Sequence, residues 1–67
     1  MTFTLNGKPT EAYAPPLSVE ALLGHLGFAG QPVLVELNGI ALHPREHPDS
    51  EVGEGAVVEI IRIAAGG

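Results

Sequence analysis

Residues 57–67 read VVEIIRIAAGG. Apart from Glu59 and Arg62, the first seven of them are valine or isoleucine, which makes this the most strongly strand-favouring stretch in the chain. Alternation places Val58, Ile60 and Arg62 on one face and Val57, Glu59, Ile61 and Ile63 on the other. Both faces carry apolar side chains. Such a strand is either covered on both sides or keeps one apolar face for a partner. Only one convincing helix exists elsewhere to cover a sheet, so the second reading is the expectation. Ile61 and Ile63, with Glu59 beside them and Arg62 at the root of the tail, are the candidate partner-binding residues. Arg62 could pair with an acid on the partner.

The strand gives way to Ala64, Ala65, Gly66 and Gly67. No side chain here exceeds a methyl group, and glycine accepts backbone angles closed to other residues. Extended, the four residues span about 13–14 Å. That is enough to thread a partner's active site and bring a terminal carboxylate into it while the sheet docks outside. Residues 1–63 are therefore expected to form the domain and residues 64–67 a flexible tail. Gly67 ends in a carboxylate at neutral pH. Carboxylate is a poor acyl donor, so a carrier role would need activation, and the chain has no cysteine and no glycine-rich phosphate loop to supply it.

Upstream, Thr2 to Leu5 alternates with Phe3 and Leu5 inward, and Asn6-Gly7 is a strong hairpin signal. A second strand is expected over Pro9 to Tyr13. Pro9 cannot donate to a ladder, which assigns that strand to a sheet edge. After Pro15-Pro16, Ser18 is a suitable N-cap and Glu20 sits in the first helical turn. Val19, Leu22, Leu23 and Leu26 make one apolar stripe, with Gly27 as the stop. Val33, Val35 and Leu37 mark a third strand. Asn38-Gly39 makes a second turn, and Ile40 to Leu42 a short fourth strand. The polar run from His43 to Gly55 reads as a long irregular connection with a 3₁₀ turn. The order predicts an α+β fold: a mixed sheet of four to five strands with one main helix packed on one face, the pattern of a ubiquitin-like β-grasp.

The chain has 67 residues, 45% of them hydrophobic, which suits one small domain. It has no cysteine, so a disulfide framework, a cysteine zinc site and a thiol nucleophile are excluded together. A cytoplasmic setting is the expectation. No basic segment leads into an apolar run, so no signal peptide is expected, and no apolar stretch reaches the length of a membrane span. Net charge is −5 with only Lys8, Arg45 and Arg62 positive, which argues against nucleic-acid binding and suits a basic protein partner. The free protein is expected to be a monomer.

His43 and His47 are spaced four apart, but Pro44 and Pro48 interrupt any regular helix between them. They are assigned to a solvated loop, and no metal site is expected. Glu46, Asp49, Glu51 and Glu54 are likewise assigned to solvent, with contact to a basic partner as the alternative. Tyr13 and Phe28 read as core or rim packing.

Asn38-Gly39, Pro44-Arg45, Gly55, Val58-Glu59-Ile60-Ile61 and the final Ala65-Gly66-Gly67 together resemble the small ubiquitin-like sulfur carriers of the thiamine pathway, which end in Gly-Gly. The resemblance covers essentially the whole chain. One departure is that Gly55 is followed by Ala56, where the family usually has Gly-Asp. Either Glu54 compensates or the turn differs.

The resemblance implies a carrier acted on by enzymes and not an enzyme itself, with no cofactor of its own. An adenylating enzyme resembling ubiquitin-activating enzymes would use ATP and Mg to form an acyl-adenylate at Gly67. A donor system fed by a cysteine desulfurase would convert the carboxylate to a thiocarboxylate, and thiazole synthase would take the sulfur. Alternatives sharing fold and tail are a carrier for molybdopterin or for tRNA thiolation, or a modifier joined to lysines through Gly67. A plain β-grasp interaction module is a further rival.

Overall fold

The computed structural model describes residues 1–63; the tail residues 64–67 lie outside the described residues. The elements run β1 (Thr2–Leu5), β2 (Lys8–Glu11), α1 (Val19–His25), β3 (Val33–Leu37), β4 (Ile40–Leu42), a 3₁₀ helix (Pro44–Asp49) and β5 (Val57–Arg62). The strands form one mixed sheet in the order β2-β1-β5-β3-β4. This is the expected α+β, ubiquitin-like β-grasp arrangement, with β5 in the centre. β5 runs parallel to β1, Thr4 opposite Val57, and antiparallel to β3, Val35 opposite Ile60.

Both Asn-Gly turns form as their chemistry requires. Asn6 and Gly7 have φ +50 and +79, and Asn38 and Gly39 have +52 and +83, a region closed to most side chains. β2 is an edge strand, as Pro9 demands, but it occupies Lys8–Glu11 and not Pro9 to Tyr13. Tyr13 takes φ +60, which turns the chain off the ladder. Its ring stacks on His25, centroids 4.5 Å apart. β5 likewise ends at Arg62, one residue short of the expected Ile63.

Ser18 caps α1 by accepting from the Ala21 N–H at 3.0 Å. At the other end Gly27, with φ +83, lets its own N–H reach the Gly24 carbonyl and the Phe28 N–H reach Leu23. These two bonds satisfy carbonyls that the last helical turn leaves open. The stripe from α1 then meets the inner face of the sheet. Phe3, Val19, Leu22, Val35, Val52 and Val58 are the largest fully buried side chains. At about 25 cal/mol per Å² of apolar surface, this single core is the chief stabilising term in so small a chain.

The segment between β4 and β5 is more structured than its polar sequence implies. Leu17 and Val52 are joined by a hydrogen bond from the Val52 N–H at 2.7 Å, and Val52 is wholly buried. The 3₁₀ helix packs on α1. Its start is held by Glu46, whose carboxylate accepts from the His43 N–H at 2.7 Å. This packing corrects the assignment of His47 to solvent: His47 is 8% exposed because the 3₁₀ helix lays one side against α1. His43 does remain exposed. Before β5, Gly55 takes φ +77 and Ala56 is buried. Glu54 reaches across to β1, both carboxylate oxygens lying 3.1 Å from the Thr2 N–H.

Candidate functional site

β5 is gripped from both sides, and the grip determines what its two faces present. On the inner face Val58 is fully buried and Ile60 nearly so. The outer face carries Val57, Glu59 and Ile61, all exposed, with Val57 46% and Ile61 50% accessible. α1 and the 3₁₀ helix are the only helices among the described residues, and α1 covers the inner face. The outer face is left without a covering layer.

Next to β5, Leu34 of β3 lies directly opposite Ile61 and is itself exposed. Glu36 lies directly opposite Glu59. The sequence expectation named Glu59 and Ile61 for this surface but not Leu34, Glu36 or Val57. Alternation in β3 could have placed Leu34 and Glu36 opposite in facing to Val33, Val35 and Leu37. Which residues of β5 they meet depends on register, which composition does not specify.

Ile63 follows the strand, half-exposed, and its N–H donates to the Pro32 carbonyl at 3.0 Å. Ile63 also borders a cleft of about 510 Å³ on the helix side, whose lining includes Leu23, Phe28, Val33 and His47. Arg62 sits on the helix side too, as its parity with Val58 and Ile60 requires, with its guanidinium carbon 5.9 Å from the centroid of the Phe28 ring. At that distance the cation lies over the ring face and gains a modest attraction. Arg62 is thus separated from Glu59 and Ile61 by the thickness of the sheet. Ala64, Ala65, Gly66 and Gly67, the candidate working tail, fall outside the described residues.

Among the described residues no group of three or more His, Asp or Glu side chains is placed to hold a metal ion. No helix among them is long and apolar enough to cross a membrane.

Residues 3–67 match the model of the ThiS family. A crystal structure of the thiamine biosynthesis protein ThiS from Geobacter metallireducens superposes with a TM-score of 0.86 at 38% identity, covering all of both chains. A solution structure of a thiamine biosynthesis protein from the same organism gives 0.82 at 39% identity, covering all of this chain and 88% of that one. The ycf40 protein of Porphyra purpurea is 31% identical over 67 residues, all of this chain and 93% of that protein.

Proposed function

We propose a sulfur-carrier function from a plain premise: the chain belongs to the ThiS family. In this reading the Gly67 carboxylate is the cargo site. A ThiF-type adenylating enzyme, using ATP and Mg, joins a carboxylate oxygen to the α-phosphorus and releases pyrophosphate. A persulfide sulfur on a desulfurase-fed donor then attacks the acyl carbon. A carbon–sulfur bond forms and the bond to AMP breaks, giving an acyl disulfide. A thiol of the donor system then attacks the donor's sulfur and the sulfur–sulfur bond breaks. The terminus leaves as a thiocarboxylate and the donor system is left as a disulfide. A ThiG-type thiazole synthase takes that sulfur. The protein is a co-substrate in each step and catalyses none of them.

The observation that carries the proposal is the placement of the last strand. β5 is central, held by β1 and β3, and leads through Ile63 into residues 64–67, Ala-Ala-Gly-Gly. The domain supplies a rigid base and an uncovered face, Glu59 and Ile61 at its middle, while the tail supplies reach. Ile63 stands at the junction, and Arg62 offers a charge on the opposite side of the sheet.

Mass spectrometry of the protein co-expressed with a desulfurase and an adenylating enzyme tests this. A sulfur-for-oxygen replacement localised to Gly67 is the expected result. An unmodified terminus would overturn it, and lysine adducts through Gly67 would instead identify a modifier.

A further inference from the structure

The uncovered face of the sheet is part apolar and part acidic, in adjacent rungs. Leu34 stands opposite Ile61, and the next outward rung sets Glu36 opposite Glu59. Directly opposed residues of an antiparallel pair have Cβ atoms about 4.5–5.5 Å apart, and like charges placed so destabilise the sheet. On its far side Glu36 meets only Ala41 of β4, whose methyl group is too short to shield a carboxylate. The one cation on β3 or β5 is Arg62, which lies on the other face over Phe28. The acidic rung is bordered by exposed apolar side chains, Leu34 and Ile61 to one side and Val57 to the other.

This pattern selects among possible occupants. A second copy of the chain would bring more carboxylates to a molecule already at −5. A phosphate backbone or an anionic membrane surface is repelled in the same way. A protein partner with an apolar patch and one cation complements both rungs. Between lysine and arginine the geometry favours arginine. Its planar fork can donate to two carboxylates at once, and its aliphatic stem can lie along Leu34 and Ile61.

We propose that the uncovered face docks a partner protein through an arginine seated between Glu36 and Glu59, its stem packed on Leu34 and Ile61. The partner is the enzyme that activates the terminal carboxylate, and in that identity the proposal rests on the carrier reading.

ATP–pyrophosphate exchange by an adenylating enzyme of the ubiquitin-activating type, with this chain as acyl substrate, tests it. The double variant Glu36→Gln, Glu59→Gln should raise KM by about tenfold at low salt and leave kcat unchanged. The gap should narrow at about 0.5 M salt, where the screening length falls to a few ångströms. The variant should melt no lower than the parent, because two directly opposed like charges have been removed. A folded double variant with unchanged KM overturns the proposal.

If the parent chain itself supports no exchange, the carrier reading falls and the rung is tested alone. Isotope-labelled protein is titrated with butylguanidinium and, as control, tetramethylammonium, following backbone amide shifts. Saturable shifts at Glu36, Glu59 and Ile61 that vanish in the double variant sustain the site. Shifts no greater than those from the control overturn it.

Discussion

Asn38 and Val57 hold each other by two hydrogen bonds: the Val57 N–H donates to Asn38 Oδ1 at 2.9 Å, and the Asn38 N–H donates to the Val57 carbonyl at 2.7 Å. Asn6 grips the same strand further along. Its N–H donates to the Val58 carbonyl at 2.9 Å, and its Oδ1 accepts from the Ile60 N–H at 2.8 Å. Two turns far apart in sequence thus clamp β5, and each asparagine serves twice, by its side chain and by tolerating positive φ.

Asn38→Ala should therefore cost about 1–2 kcal/mol, from the lost acceptor together with a methyl group forced into the left-handed region. In a domain this small that lowers Tm by several degrees. Asn38→Asp keeps an acceptor oxygen and the backbone tolerance, so it should lose less than half as much. Thermal unfolding followed by circular dichroism separates the two. Equal losses would mean that the turn does not clamp the strand.

Val58 and Ile61 make a paired test of the two faces of β5. Val58 is fully buried, so Val58→Ala should cost about 2 kcal/mol or more through lost transfer energy and a cavity. Ile61 is half-exposed, so Ile61→Asp should cost about 1 kcal/mol or less, mostly from repulsion by Glu59 and Glu36. Sulfur loading should show the reverse order, abolished in Ile61→Asp and retained in folded Val58→Ala. A large loss of Tm in Ile61→Asp with loading intact would mean that the outer face is the covered one.

Local patterns account for what could be read from the sequence. The period of two in β5 separated Val58 and Ile60 from Val57, Glu59 and Ile61. The period near 3.6 in α1, with Ser18 and Gly27 at its ends, placed the one helix. The Asn-Gly pairs placed both turns. Long-range geometry accounts for the rest. The parallel pairing of Thr4 with Val57 joins opposite ends of the chain and leaves no local mark. Val52 and His47 are buried by tertiary packing against Leu17 and α1, inside a stretch whose prolines and acids suggest solvent. For the uncovered face, the position of Glu59 and Ile61 was legible from alternation. Their partners Glu36 and Leu34 needed the register of a second strand.

His47 offers a third measurement. Its Nε2 is buried with no hydrogen-bond partner among the described residues. A buried polar atom left unpaired costs about 1–3 kcal/mol. His47→Leu removes that atom while keeping most of the packing, and should leave stability unchanged or raise it. His47→Ala empties the site and should lower stability by about 2 kcal/mol. Urea midpoints of the two variants check the difference. If the leucine variant falls as far as the alanine variant, the imidazole is contributing polar contacts that its burial does not reveal.

The tail gives the last and simplest separation of folding from function. The core formed by Phe3, Val35, Val58 and the stripe of α1 lies within residues 1–63, and among the described residues the last backbone bond after β5 is the Ile63 N–H to the Pro32 carbonyl. Deleting Gly67 removes no side chain, so Tm should stay within about a degree or two of the parent. The deletion moves the terminal carboxylate back by one residue, about 3.3–3.6 Å, which is more than an active site that must align an oxygen with a phosphorus can absorb. Sulfur loading, read as the mass of the intact protein, should therefore disappear while the melting curve stays in place. A truncated chain that still took up sulfur would show that Gly67 is not the cargo site. A collapsed melting curve would show that the tail belongs to the fold.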